Sequence, residues 1–108
     1  MTEQWQGFEQ IRGWAADRNL VEGSVPQAQM LKLVEELGEL AAAIAKGNPA
    51  GQIDGVGDAI VVLTILSAQL GFTVEEAIAH AWSEIKDRRG RMVDGIFVKE
   101  APTLESAA

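Results

Sequence analysis

The chain has 108 residues, the size of one ordinary domain, with 47% apolar and 23% charged residues, which excludes a disordered chain. Sixteen acidic against nine basic residues leave a net charge of −7, which argues against nonspecific binding to nucleic acid or to an anionic membrane and suits carboxylates that hold a cation. With no cysteine and one histidine, His80, there is no disulfide scaffold, no thiolate zinc site, no cysteine nucleophile and little scope for a Ser-His-Asp triad.

Trp5, Phe8, Ile11 and Ala15 recur at helical spacing and predict a first helix ending near Asn19. Ser24, Pro26 and Gln27 form a capping-box pattern that opens a second helix, from Pro26 to about Lys46. Its apolar stripe is Met30, Leu33, Val34, Leu37, Leu40, Ala41 and Ile44, and Gly47-Asn48-Pro49 stops it. A third helix runs from near Ala50 to about Leu70, with Gly71 as its C-cap. Thr73 and Glu76 make another capping box for a fourth helix. Its stripe is Val74, Ala77, Ile78, Ala81, Trp82 and Ile85, with Trp82 in the core and Gly90 at the end. Asp94-Gly95 between two apolar runs predicts a β-hairpin, which must pack on something to persist. Beyond Pro102 the chain should fray. The expected architecture is all-α, a four-helix bundle-like arrangement with a short C-terminal hairpin, forming a single domain over residues 1–108. The longest strongly apolar run, Ala59 to Leu66, is far short of a membrane span, and the N-terminus shows no signal-peptide pattern. The expectation is a soluble, cytoplasmic protein.

The chemistry lies in two acidic motifs. Glu35, Glu36 and Glu39 share one sector of the second helix, roughly 100° wide. Taken alone they read as a solvated flank. The third helix is apolar in nearly every direction, which predicts burial, and it carries Asp54 and Asp58 one turn apart. Buried aspartates are rare unless paired or bound to a cation. Asp54 could be a helix N-cap, but Asp58 has no such role. Lys32 and Lys46 are the only bases on the second helix, too few to neutralise five converging carboxylates. An oxygen-only donor set points to Mg²⁺, with Mn²⁺ as the alternative, rather than zinc. A di-iron bundle needs Glu-x-x-His pairs, and an EF-hand needs a twelve-residue loop of oxygen donors; neither is present.

The run Gln29-x-x-Lys32-Leu33-x-Glu35-Glu36-x-x-Glu39-Leu40, followed by the carboxylates of the next helix, resembles the MazG-type all-α nucleoside triphosphate pyrophosphohydrolases. Their signature is Glu-Glu-x-x-Glu, a spacer, then Glu-x-x-Asp. Glu35, Glu36 and Glu39 match its first half and Asp58 its last residue. Gly55 stands where a glutamate is expected, with Asp54 just before it. The tail from Ile85 to Glu100 is also similar to that of the small single-domain members of bacteria and phages.

The resemblance implies Mg²⁺-dependent hydrolysis of a nucleoside triphosphate, usually a deoxy one, to the monophosphate and pyrophosphate by a homodimer or homotetramer. In that scheme Glu36, Glu39, Asp54 and Asp58 hold metal. Glu35 is the catalytic or water-orienting residue. Lys32, Lys86, Arg88, Arg91 and Lys99 contact phosphates. Trp14, beside the stripe of the first helix, is placed to stack on a base, and the Gly- and Ala-rich helix faces lean toward a purine substrate such as dGTP or GTP. Arg89 belongs to the same basic cluster, whose simpler role is to complement a helix dipole. Trp14 also reads as plain core and His80 as a surface residue. The rival functions are a noncatalytic acidic helical binding module and a nucleotide-sensing subunit that binds without turnover.

Overall fold

Glycine and proline set the boundaries of the fold, and apolar periodicity fills the intervals. The computed structural model describes residues 4–100; the tail expected to fray lies outside them. Among the described residues there are four helices and one hairpin: α1 (Phe8–Asp17), α2 (Pro26–Ala45), α3 (Pro49–Gln69), α4 (Val74–Ile85), β1 (Gly90–Val93) and β2 (Ile96–Lys99). The fold is all-α, as its periodicity predicts. The chain divides into two compact units, one ending at Ala77 and the other beginning at Ile78, so α4 spans the division.

The first unit is built on the α2–α3 pair, with α1 packed against α3. Buried Leu33, Glu36 and Ala43 and half-buried Leu40 recur every three or four residues and form the side of α2 that meets α3. On α3 the buried positions are Gly55, Ala59, Val62, Thr64, Ile65 and Ser67. Leu33, Ala59 and Val62 form the buried apolar cluster. Thr64 and Ser67 keep their hydroxyls satisfied by donating back to the carbonyls of Ile60 and Leu63, both at 2.7 Å.

The helix ends depart from expectation in three places. Val25, not Ser24, caps α2, and no side chain serves there; the Ser24 hydroxyl instead accepts from Gln29 Nε2 at 3.4 Å. The Gly47-Asn48-Pro49 stop also starts the next helix. Asn48 is the N-cap of α3 and its Oδ1 accepts from the Gly51 N–H at 3.2 Å. That assignment removes the N-cap role from Asp54. The Thr73 cap forms, its Oγ1 accepting from the Glu76 N–H at 3.1 Å, but α4 stops at Ile85 and Gly90 begins a strand. Gly71, with φ 93°, follows the last turn of α3 in the left-handed conformation that glycine tolerates.

The hairpin pairs Gly90 with Lys99 and Val93 with Ile96, antiparallel. Asp94 and Gly95 have φ of 50° and 80°, the two positive values a type I′ turn demands. All eight strand residues are exposed.

Burial is the main correction. Helix α3 is not buried all round. Ile53, Val56, Ile60 and Leu63 recur three and four residues apart along one exposed stripe, with Ile53 75% exposed. Met30, Val34, Leu37, Ala41 and Ile44 do the same on α2. The broad apolar arc of each helix therefore has two halves, one meeting its neighbour in the chain and one left open. Along α4 only Val74 is buried, and Trp82, expected in the core, is 60% exposed. By length and composition α3 could cross a membrane, with a mean hydropathy of 1.3 over its best window, a test that the core helix of a soluble protein also passes. It packs against two helices and carries two aspartates.

Candidate metal centre and a cationic hollow

Close helix contact fixes where the α2–α3 carboxylates stand. A Cβ on Gly51 would lie 3.0 Å from that of Ala43, and one on Gly55 would lie 2.8 Å from that of Leu40. The antiparallel pair is thus in register from the connecting turn through Leu40–Gly55 to Leu33–Ala59–Val62. Beside this seam runs a cleft of about 320 Å³, with Glu39 and Lys46 from α2, Asn48 from the turn, and Asp54 and Asp58 from α3 among its walls.

Asp54 and Asp58 are exposed rather than buried, so the expected desolvated pair is replaced by two carboxylates open to solvent on one side of α3. Among the described residues, neither they nor Glu39 makes an ion pair or side-chain hydrogen bond. Glu36 is the carboxylate that is buried, 6% exposed, on the α3-facing stripe. One of its oxygens meets the Lys32 ammonium at 3.2 Å, and the other, Oε2, has no partner. Glu36 in turn raises the pKa of Lys32. Glu35 is exposed and lies 3.7 Å from the same ammonium.

The five carboxylates do not converge as expected. Among the described residues, no three acidic or histidine side chains come close enough to hold a metal ion. The donor chemistry nevertheless fits a hard cation: oxygen ligands only, one of them a buried carboxylate oxygen with an unmet acceptor. Glu39, Asp54 and Asp58, all exposed along one cleft, are free to change rotamer.

The second unit carries five of the nine basic residues. Arg88, Arg89, Arg91 and Lys99 surround a hollow of about 690 Å³ at the root of the hairpin, floored by Gly90, Phe97 and Val98. A Cβ on Gly90 would collide with the Phe97 ring and the Val98 carbonyl, so glycine there lets the ring cover the strand. Among the described residues none of the four cations is paired with a carboxylate. Lys86 does not line the hollow; it sits in the turn after α4, its N–H donating to the Trp82 carbonyl.

Trp14 is 46% exposed and not core. It lines a hollow of about 520 Å³ with Trp5, Ile11, Asp17 and Val61, and the Arg18 guanidinium stacks 4.4 Å from its ring centroid. Arg18 escaped sequence reasoning, although its i+4 spacing from Trp14 was the available signal. Another missed feature is Arg12, which grips Glu75 through two bonds of 2.6 and 2.7 Å and ties α1 to the start of α4. His80 is on the surface, 2.9 Å from Glu84.

A sequence profile described as the MazG nucleotide pyrophosphohydrolase domain matches residues 25–92, more than half of the chain, including both helices of the α2–α3 pair. A protein of Haemophilus phage HP1 (strain HP1c1), described as an uncharacterized 18.2 kDa protein in the rep-hol intergenic region, is 48% identical over 69 residues. The match covers 64% of this chain and 42% of the phage protein, so the chain spans less than half of that relative. No solved structure matches.

Proposed function

The chain belongs to the MazG nucleotide pyrophosphohydrolase family, and from that premise we propose that it hydrolyses a nucleoside triphosphate to the monophosphate and pyrophosphate with the help of Mg²⁺. The observation that carries this reading is the α2–α3 seam. Buried Glu36, on the stripe of α2 that meets α3, has a free oxygen, and Glu39, Asp54 and Asp58 line one cleft along the same helix pair.

Glu36, Glu39 and Asp58 are the residues that would hold Mg²⁺, with Asp54 as a fourth candidate. Bound divalent ions would neutralise phosphate charge and ease deprotonation of water. Glu35, next to the buried Glu36 but open to solvent, accepts the proton of the attacking water. The new bond forms between that water oxygen and the α-phosphorus. The bond from the α-phosphorus to the bridging oxygen breaks, and pyrophosphate leaves. The chain has no Gly-x-x-x-x-Gly-Lys-Ser/Thr loop to cradle the outer phosphates on backbone N–H groups. Cationic side chains must do that work, and Arg88, Arg91 and Lys99, already grouped round one hollow, are suited to it. Lys86 and Lys32 are more peripheral candidates, since Lys32 is engaged with Glu36.

The base contact is assigned to the Trp14 hollow. Val61, one of its walls, lies one turn along α3 from Asp58. The hollow has room for a purine, and guanine is the base we favour. The working assembly is a homodimer or homotetramer and the setting cytoplasmic.

A panel of all eight ribo- and deoxynucleoside triphosphates with Mg²⁺ tests the activity. Monophosphate and pyrophosphate should appear in equal amounts, and ¹⁸O from labelled water should enter the monophosphate. Label in orthophosphate, or early nucleoside diphosphate, would overturn attack at the α-phosphorus. Binding without any product would favour the nucleotide-sensing alternative.

A further inference from the structure

Gly55 stands where the resemblance leads one to expect a glutamate, and the geometry gives a reason. Its backbone is buried against α2. A Cβ there would lie 2.8 Å from Leu40 Cβ, 3.0 Å from its Cδ1 and 3.1 Å from its Cα. Two of those atoms belong to the root of Leu40 and cannot swing aside, so a side chain at 55 would have to push the helices apart. Asp54 is rotated about 100° from that contact and faces the cleft shared with Glu39 and Asp58. Asp54 and Asp58 are one turn apart on the same side of α3, and Glu36, with its buried unpartnered Oε2, is on the facing stripe of α2.

We propose that position 55 is given over to the helix crossing and that Asp54 supplies the metal donor that α3 cannot carry at 55. The shorter arm of aspartate is matched by the close approach that glycine permits, since the spacing of packed helices follows the size of the side chains at their contact. Gly55 is therefore a positioning residue and Asp54 a ligand. This rests on the metal reading given above.

The test is a calorimetric titration of the full chain with Mn²⁺, paired with thermal melts in metal-free buffer. The wild type should bind Mn²⁺. Asp54→Asn should weaken binding by about tenfold or more, comparably to Asp58→Asn. The double variant D54N/G55E, which moves the carboxylate to the position seen in the family signature, should stay weak and melt below D54N. Gly55→Ala separates packing from metal: helix propensity alone raises its melting temperature, whereas the contact with Leu40 lowers it. Asp54→Asn binding like wild type while Asp58→Asn does not would overturn the ligand assignment. Recovery of affinity in D54N/G55E, or a melting temperature for Gly55→Ala at or above wild type, would overturn the packing argument. A wild type that binds no Mn²⁺ would instead sink the metal reading itself, and this inference with it.

Discussion

Single carboxylates in this protein differ chiefly in what surrounds them. Asp58 is exposed and unpaired, so removing its charge leaves no buried partner stranded. Asp58→Asn should therefore abolish turnover with an unchanged circular dichroism spectrum and melting temperature. Full activity in that variant would remove the central claim. Glu35 differs from its neighbour Glu36 in lying open to solvent, which suits a group that passes protons to water. Glu35→Gln should lower kcat by roughly 10²-fold or more, the usual contribution of a positioned base, and leave KM nearly unmoved. A change confined to KM would make Glu35 a binding group. The Arg12–Glu75 pair carries a pH signature. The guanidinium holds the Glu75 carboxyl below its ordinary range. A depressed carboxylate stabilises the fold above its unfolded value, near 4.5, and that stability is lost as pH falls through the folded value. The melting difference between wild type and Glu75→Gln should thus favour wild type at pH 7 and shrink toward pH 3. A difference independent of pH would mean that the variant loses packing rather than charge.

At the scale of the element, periodicity and punctuation were enough to read all four helices and the Asp94-Gly95 turn. Two things stayed hidden. Capping depends on which of several polar groups wins a local competition. Ser24-Val25-Pro26-Gln27 satisfies the spacing of a box, yet the Ser24 hydroxyl is engaged by Gln29, while Asn48, read only as a stop, caps α3. Asn48→Ala should destabilise the fold by about 1 kcal/mol in urea unfolding with an unchanged m-value. No loss would mean that water serves the Gly51 N–H equally well. The second hidden quantity is burial, because an apolar stripe gives a direction and not what lies opposite it. Asp54 and Asp58 were legible as a pair on one side of α3, and their exposure was not, since it depends on where α2 crosses. The role of Gly55 is visible only with Leu40 in place.

For the whole molecule, the open halves of α2 and α3 are the strongest constraint. Met30, Val34, Leu37, Ala41 and Ile44 are spaced four and three residues apart, and Ile53, Val56, Ile60 and Leu63 three and four. Both are seam spacings of helices that pack at a shallow angle. The large side chains among them are 40% to 75% exposed in one chain. Each would stabilise an assembly by about 1.5–3 kcal/mol on full burial, and exposed apolar stripes on an otherwise acidic protein are suited to an interface. A second copy offers the matching stripe by two-fold symmetry, and the inward residues Leu33, Leu40 and Val62 take no part in it. Sedimentation velocity at micromolar concentration should therefore show a dimer or tetramer. The paired substitution L37E/I60E, one charge on each stripe, should shift it to monomer while leaving the α2–α3 pair folded, because both positions point away from that seam. A wild-type chain that sediments as an active monomer would mean that these stripes face water in the working protein, and the argument from helix patterning to assembly would fail.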